Sequence, residues 1–281
     1  MNRAETRGAL RDAVSLARGA GRTIGLVPTM GYLHEGHLAL VDRARDAADY
    51  VVASIFVNPL QFGPGEDLAR YPRDVERDVR LLEQRGVHLL FAPSDAEMYP
   101  AGAPAVRVVA PRLADRLCGA FRPGHFDGVL TVVAKLFHLV DPDVAVFGRK
   151  DFQQLVLVRR MARDLDFPLE VLEAETQRAE DGLALSSRNV YLKGEARTQA
   201  ALLHRSLKAA QEAFTRGERD AAKLIEAARD VLGGGSLVRT QYIEVVEADT
   251  LDPVAQAAVG DVIALAAHVD GTRLIDNHRL A

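Results

Sequence analysis

In the first 175 positions, short apolar runs alternate with stretches in which apolar residues recur every three or four positions. Thr23 to Val27 is an apolar run that ends at Pro28, and Leu38, Leu40 and Val41 then mark the buried side of a helix. Tyr50 to Val57 reads as a buried strand that stops at Asn58-Pro59. Pro72 to Arg85 reads as a helix with proline near its start and Gly86 at its end, followed by a strand over Val87 to Phe91. Val129 to Val140 is a mostly buried helix closed by Asp141-Pro142. Val144 to Phe147 is a strand, Leu155 to Leu165 a helix and Leu169 to Leu172 a further strand. Strand, helix and strand in repetition predict a Rossmann-like α/β domain, a parallel sheet with helices on both faces. Ligands of such sheets sit beyond the carboxyl ends of the strands.

From about Glu175 the pattern changes. A polar segment, Gln177 to Asn189, leads into two helical patterns, Glu195 to Thr215 and Asp220 to Leu232, and Gly233-Gly234-Gly235 then breaks the chain as a turn. Strand-like runs at Tyr242 to Val246 and Val262 to Leu265 precede a short tail. Residues 1–175 are therefore expected to form the Rossmann-like domain and residues 176–281 a smaller α+β domain.

Composition narrows the function classes. With 48% hydrophobic and 26% charged residues, the chain has enough apolar material for a core. A net charge of −4 provides no basic footprint for nucleic acid. Cys118 is the one cysteine, which excludes an internal disulfide and a cysteine zinc site and fits a packed core thiol. The N-terminal segment has no secretory pattern, and no apolar run reaches the ~20 residues of a membrane span. A cytoplasmic protein with no membrane or nucleic-acid partner is expected.

The candidate chemistry falls after predicted strands. Pro28-Thr29-Met30-Gly31-Tyr32-Leu33-His34-Glu35-Gly36-His37 places two histidines on one face of a helix's first turn, beside two glycines. The free N–H groups of that turn suit a triphosphate, and the imidazoles suit an oxyanion. The same residues also suit a helix cap and a packed ring. Gly148-Arg149-Lys150-Asp151, with Gln154 one turn on, offers a lysine to phosphate; a charged turn is the plainer alternative. Leu185-Ser186-Ser187-Arg188 combines hydroxyls with a guanidinium, as a phosphate clamp or as a polar linker. Asn58 and Gln61 could fix a hydroxy acid by hydrogen bonds or be ordinary loop residues, and Arg122 could meet phosphate or belong to a surface turn or subunit contact.

Read in order, PTMGYLHEGH, SIFVNPLQFGPGEDLARYPRD, FRPGHFDGVLTVVAKLFHLVDPDVAVFGRKDFQQL and DGLALSSRN closely resemble the pantothenate synthetases, over residues 22 to 192. The resemblance implies a fold related to class I aminoacyl-tRNA synthetases, a lid-like second domain and a homodimer. It implies ATP-dependent joining of pantoate to β-alanine with Mg²⁺, through a pantoyl-adenylate that releases pyrophosphate and then AMP. Met30, Gly31, Tyr32, Leu33, His34, Glu35, Gly36 and His37 match the family's ATP stretch, with His34 and His37 on phosphate and His37 as proton donor. Gly148, Arg149, Lys150 and Asp151 match the ATP segment with its catalytic lysine, Lys150. Gln61 matches the glutamine shared by pantoate and β-alanine, Gln154 the second pantoate glutamine, and Leu185 to Arg188 the mobile phosphate segment with Arg188. Asp78 matches a magnesium-side carboxylate, although Arg77 stands where the family has a second aspartate. Arg149 and Gln177 are further departures, the latter at a position that meets adenine through its backbone. A nucleotidylyltransferase that makes a phosphoanhydride would share the histidine motif but not the paired glutamines. A non-catalytic nucleotide-binding module would need neither.

Overall fold

The computed structural model describes residues 1–281. Six parallel strands form the larger sheet: β1 (Asn2–Ala4), β2 (Ile24–Thr29), β3 (Tyr50–Ile55), β4 (Leu89–Phe91), β5 (Val144–Gly148) and β6 (Glu170–Ala174). Their order is β1-β4-β3-β2-β5-β6. β3 is buried at every position, as expected of a strand covered on both faces, and this is why it reads as an unbroken apolar run. The chain winds outward from β2 in both directions, so the order reverses between β2 and β5. β2 and β5 pair only at Gly25–Val144 and Leu26–Ala145, and beyond Leu26 they no longer share a ladder. A crevice opens there, at the carboxyl ends of the two central strands.

Several elements differ from the pattern reading. β2 continues through Pro28 to Thr29, in the stretch that has no ladder to β5. β1 has no counterpart in the apolar pattern, since Asn-Arg-Ala carries almost no apolar signal; it gains its place by pairing with Leu89–Phe91 at the sheet edge. The helix expected from Pro72 runs over Val75–Gln84, because the Asp74 side chain accepts from Arg77 N–H and fixes the start. The buried helix begins a turn early, at His125, after Gly124.

β7 (Val238–Val246), β8 (Val262–Val269) and β9 (Thr272–Arg279) form an antiparallel sheet in that order. β9 is the expected tail; its polar Asp276 and Asn277 masked the strand pattern, yet both are buried. Helices Leu202–Thr215 and Ala221–Gly233 cover one face through Leu207, Phe214, Leu224 and Leu232, in a core shared with Ile243 and Leu265. The other face presents Tyr242, Val262, Ala264 and Ala266 to the large core that also holds Phe126 and Phe152. Cys118 lies in this contact, its Sγ 3.2 Å from the Tyr242 hydroxyl. No helix is long and apolar enough to cross a membrane.

Candidate active site

The loop that leaves β2 is held from behind. Gly31 and Tyr32 both have positive φ, 82° and 50°, and this reversal turns the N–H groups of Tyr32 and Leu33 toward Asp78. The Asp78 oxygens accept from them at 2.6 and 2.7 Å. Gly31 has little alternative, since a Cβ there would lie 3.0 Å from Ile55 and 3.1 Å from Asp78. Arg77 adds a bond of 2.8 Å to Leu33 O and places its guanidinium 5.5 Å from the Tyr32 ring centre. Burial pushes the Asp78 carboxyl above its ordinary range even though the two N–H groups and Arg77 pull it down.

The loop delivers two histidines to the start of helix Glu35–Arg45. His34 Nδ1 accepts from Gly36 N–H at 3.1 Å, and His37 Nδ1 accepts from His34 N–H at 3.3 Å. A Cβ on Gly36 would come within 2.8 Å of the His34 ring, so the cap depends on glycine. The rings stand 4.1 Å apart. Burial and the Lys150 charge lower the His34 pKa to about 4, and burial, His34 and Lys150 hold His37 well below its ordinary value. Both rings are therefore neutral near pH 7, and an imidazole whose Nδ1 accepts carries its proton on Nε2. Capping and chemistry coexist: each ring spends one nitrogen on the helix and keeps one N–H to donate.

The crevice between β2 and β5 is a cavity of about 220 Å³. Met30, His34, Gly36 and His37 line it with Lys150 and Gln154. Phe56, Phe62, Val129, Val132, Val133 and Leu136 give it an apolar part of its lining. Gln61 lines the same cavity, its Oε1 accepting from Asn58 at 3.1 Å and its Nε2 3.2 Å from Met30 sulfur. Asn58 has no capacity left for a ligand. It donates to Gln61 and to Gly128 O, and accepts from Tyr99 hydroxyl and Leu60 N–H.

Lys150 sits on the single turn Arg149–Asp151 between β5 and helix Phe152–Asp164. Its side chain is one-fifth exposed, and its nearest carboxylate oxygen, on Asp151, is 3.8 Å away. The neighbouring Arg149 points elsewhere, into Glu173 and Glu175 at 2.6 and 2.8 Å.

Gln177 to Leu185 folds into a small hairpin, with Arg178 bridging Ala184 and Leu185 N–H donating to Gln177 O. The residues that follow reach over the crevice. Ser186 Oγ accepts from Arg188 N–H, and Ser187 Oγ donates to Tyr32 O at 3.1 Å, tying this segment to the histidine loop. Arg188 forms a paired contact with Asp67. Arg122 is held the same way by Glu66, at 2.6 and 2.7 Å, and also donates to His125 Nε2. His125 therefore carries its proton on Nδ1 and donates to Gln61 O at 2.7 Å; burial and Arg122 bring its pKa to about 4.

Of the residues singled out from sequence, Met30, His34, Gly36, His37, Asn58, Gln61, Arg122, Gly148, Lys150, Asp151, Gln154, Gln177, Leu185, Ser186, Ser187 and Arg188 line this one cavity. Gly31, Tyr32 and Leu33 do not; they form the pinned loop behind it. Glu35 is exposed and paired with Arg85 at 2.7 Å, and Arg149 is spent on its glutamates. Asp78, expected beside magnesium, is one per cent exposed with both oxygens bonded to backbone, a loop anchor with no face toward the cavity. No three His, Cys, Asp or Glu side chains converge to hold a metal ion.

Residues 2–279 match the family model described as pantoate-beta-alanine ligase. The chain belongs to that family. It is a ligase that forms a C–N bond. It is 54% identical over 279 residues to the pantothenate synthetase of Pseudomonas entomophila (strain L48), covering 99% of this chain and 96% of that one. A crystal structure of pantothenate synthetase from Thermus thermophilus superposes with a TM-score of 0.95 at 51% identity, covering 100% and 99% of the two chains. The Francisella tularensis pantoate-beta-alanine ligase, solved with beta-gamma ATP and beta-alanine, gives 0.80 at 31% identity, covering 99% and 97%.

Three further residues hold the cavity rim in place. Glu66 and Asp67 hold the two arginines of the cavity rim, and Asn277 reaches the Lys150 turn from β9. Glu66 and Asp67 are adjacent acids after the Gly63-Pro64-Gly65 turn, a signal visible in the sequence. Asn277 gave no comparable signal.

Proposed function

We propose that this ligase activates (R)-pantoate with ATP as pantoyl-adenylate and then joins it to β-alanine, giving pantothenate, AMP and pyrophosphate. The observation that carries the reading is the meeting, in one crevice, of two neutral Nε2–H imidazoles and Lys150 with Gln61, Gln154 and an apolar part of the lining. The first group suits a phosphoryl centre and the second a small, branched hydroxy acid. ATP binding also fits the beta-gamma ATP and beta-alanine of the Francisella relative.

In this account a pantoate carboxylate oxygen attacks the α-phosphorus, and pyrophosphate leaves. The β-alanine amine then attacks the acyl carbon, loses a proton, and AMP departs with the bridging oxygen. In-line transfer at phosphorus calls for alignment and charge compensation more than for a covalent protein nucleophile. His34 and His37 donate their Nε2 protons to the α-phosphate oxygens, where their neutrality lets them act without desolvating a charge. Lys150 supplies the fixed positive charge. Ser186 and Arg188 take the β- and γ-phosphates. Gln61 and Gln154 orient pantoate, and Asn58 orients Gln61. Residues 176–281 act as a domain whose hairpin segment closes over the adenylate and keeps water from it.

Magnesium enters as a companion of the ATP phosphates, where it neutralises their charge; Asp78 is not its ligand in this account. The family resemblance further supports a cytoplasmic homodimer, which light scattering of the purified chain tests. The assay for the reaction is AMP release with ATP, pantoate, Mg²⁺ and β-alanine, omitting one at a time. Sustained release only with all four supports the reading, and release that ignores pantoate sinks it.

A further inference from the structure

Strand β9 meets both phosphate-facing segments through consecutive residues. Asp276 and Asn277 point to opposite faces of the sheet, as neighbours in a strand must. Asp276 pairs across with Leu265, on the helix-covered side, and takes both guanidinium nitrogens of Arg178 at 2.6 and 2.9 Å. The carboxylate of that ion pair is buried and the Arg178 side chain one-fifth exposed, and the pair fixes the base of the hairpin leading to Ser186 and Arg188. Asn277 pairs across with Ala264, on the side of the large core, and its Nδ2 donates to Arg149 O at 3.0 Å and to Lys150 O at 2.9 Å. Asn277 is five per cent exposed, and both protons of its amide are used.

The turn it grips is a single 3₁₀ turn with no side-chain cap of its own. Such a turn is a weak support for a lysine that has to meet a phosphate to within a fraction of an ångström. We propose that Asn277 is a positioning residue for the ligase reaction, holding the Arg149–Lys150 backbone so that the lysine ammonium faces the crevice. The inference rests on the role given to Lys150 above. Asp276 anchors the opposite jaw, so β9 sets the spacing between the lysine and the Ser186–Arg188 segment.

The test compares Asn277→Ala, Asn277→Asp, Lys150→Ala and the Asn277→Ala/Lys150→Ala double variant in steady-state AMP release, with thermal unfolding as the control for folding. Losing both donors from one turn is expected to lower kcat about tenfold or more, with KM for pantoate nearly unchanged. The loss disappears in the Lys150→Ala background if Asn277 acts through the lysine. Asn277→Asp keeps the size but turns a carboxylate on two carbonyls. Burial raises that acid's pKa, so its protonated form regains one donor and its activity relative to the parent rises as pH falls from 8 to 6. If Asn277→Ala does not fold, that pH ratio carries the test alone, and a flat or falling ratio overturns the proposal. Full additivity with Lys150→Ala, or a kcat unchanged in Asn277→Ala, also overturns it. An active Lys150→Ala single variant refutes the lysine reading itself, a result distinct from these.

Discussion

Arg188 and Asp67, 121 positions apart, meet as a two-pronged ion pair with each nitrogen–oxygen distance 2.8 Å. Burial pushes the Asp67 carboxyl up, but the Arg188 bonds and charge outweigh it and hold the group below its ordinary range. The guanidinium that is proposed to take phosphate is thus already occupied by a carboxylate, over the Tyr71 ring at 5.7 Å. Under the proposed function, ATP would exchange one anion for another there, which spares Arg188 a bare state but costs affinity.

Asp67→Asn therefore lowers KM for ATP severalfold and leaves pantoate KM unchanged, because it weakens the competing anion without touching Gln61. Initial-rate kinetics at saturating pantoate measure it. An unchanged or higher ATP KM would mean that Asp67 does not compete.

The histidines give a pH signature in stability. His34 and His125 fall to about 4 in the folded chain, from an ordinary value near 6.5 in the unfolded one. Between those values the unfolded chain takes up protons that the folded chain refuses, so stability is full above pH 6.5 and declines as pH falls toward 4. Urea unfolding at pH 7.5, 6 and 5 should show this decline, and His125→Asn should flatten part of it. A stability that rises on acidification through this window is incompatible with buried neutral rings.

Removing the donor at His37 addresses catalysis. His37→Ala should lower kcat by about 10²–10³, the usual effect of losing one oxyanion donor. His37→Gln, which keeps an N–H, should lose less. Equal losses would point to packing as the role of the ring.

Asp78→Asn separates anchor from metal ligand. Replacing one acceptor with an NH₂ that faces the Tyr32 or Leu33 N–H loosens the loop, so the unfolding midpoint falls and ATP KM rises. The Mg²⁺ concentration for half-maximal rate, at saturating ATP, stays put. A selective rise in that requirement with unchanged stability would return Asp78 to the metal.

Much of this architecture was readable because it rests on local signals. The buried strands β2, β3 and β5 are apolar runs, and the chemistry follows each of them at a loop, where a parallel sheet puts it. What escaped is what depends on distant partners. Asp78 reads as an acid free for a metal until Tyr32 and Leu33 are seen to use both its oxygens. Arg149 and Glu35 sit inside binding motifs but are paired with Glu173, Glu175 and Arg85 and do not line the cavity, which a motif cannot report. Asp276 and Asn277 disguise β9 as a tail because two of the three residues it buries are polar, and these two are buried because Arg178 and the Lys150 turn satisfy them.

Oxygen tracing tests the proposed route most directly. Pantoate labelled with ¹⁸O in its carboxylate is turned over with ATP, Mg²⁺ and β-alanine, and the AMP is weighed by mass spectrometry. Attack of the carboxylate on the α-phosphorus predicts one ¹⁸O in the phosphate of each AMP whose pantoate oxygen was labelled. Unlabelled AMP, or label appearing in inorganic phosphate beside ADP, would contradict the acyl-adenylate.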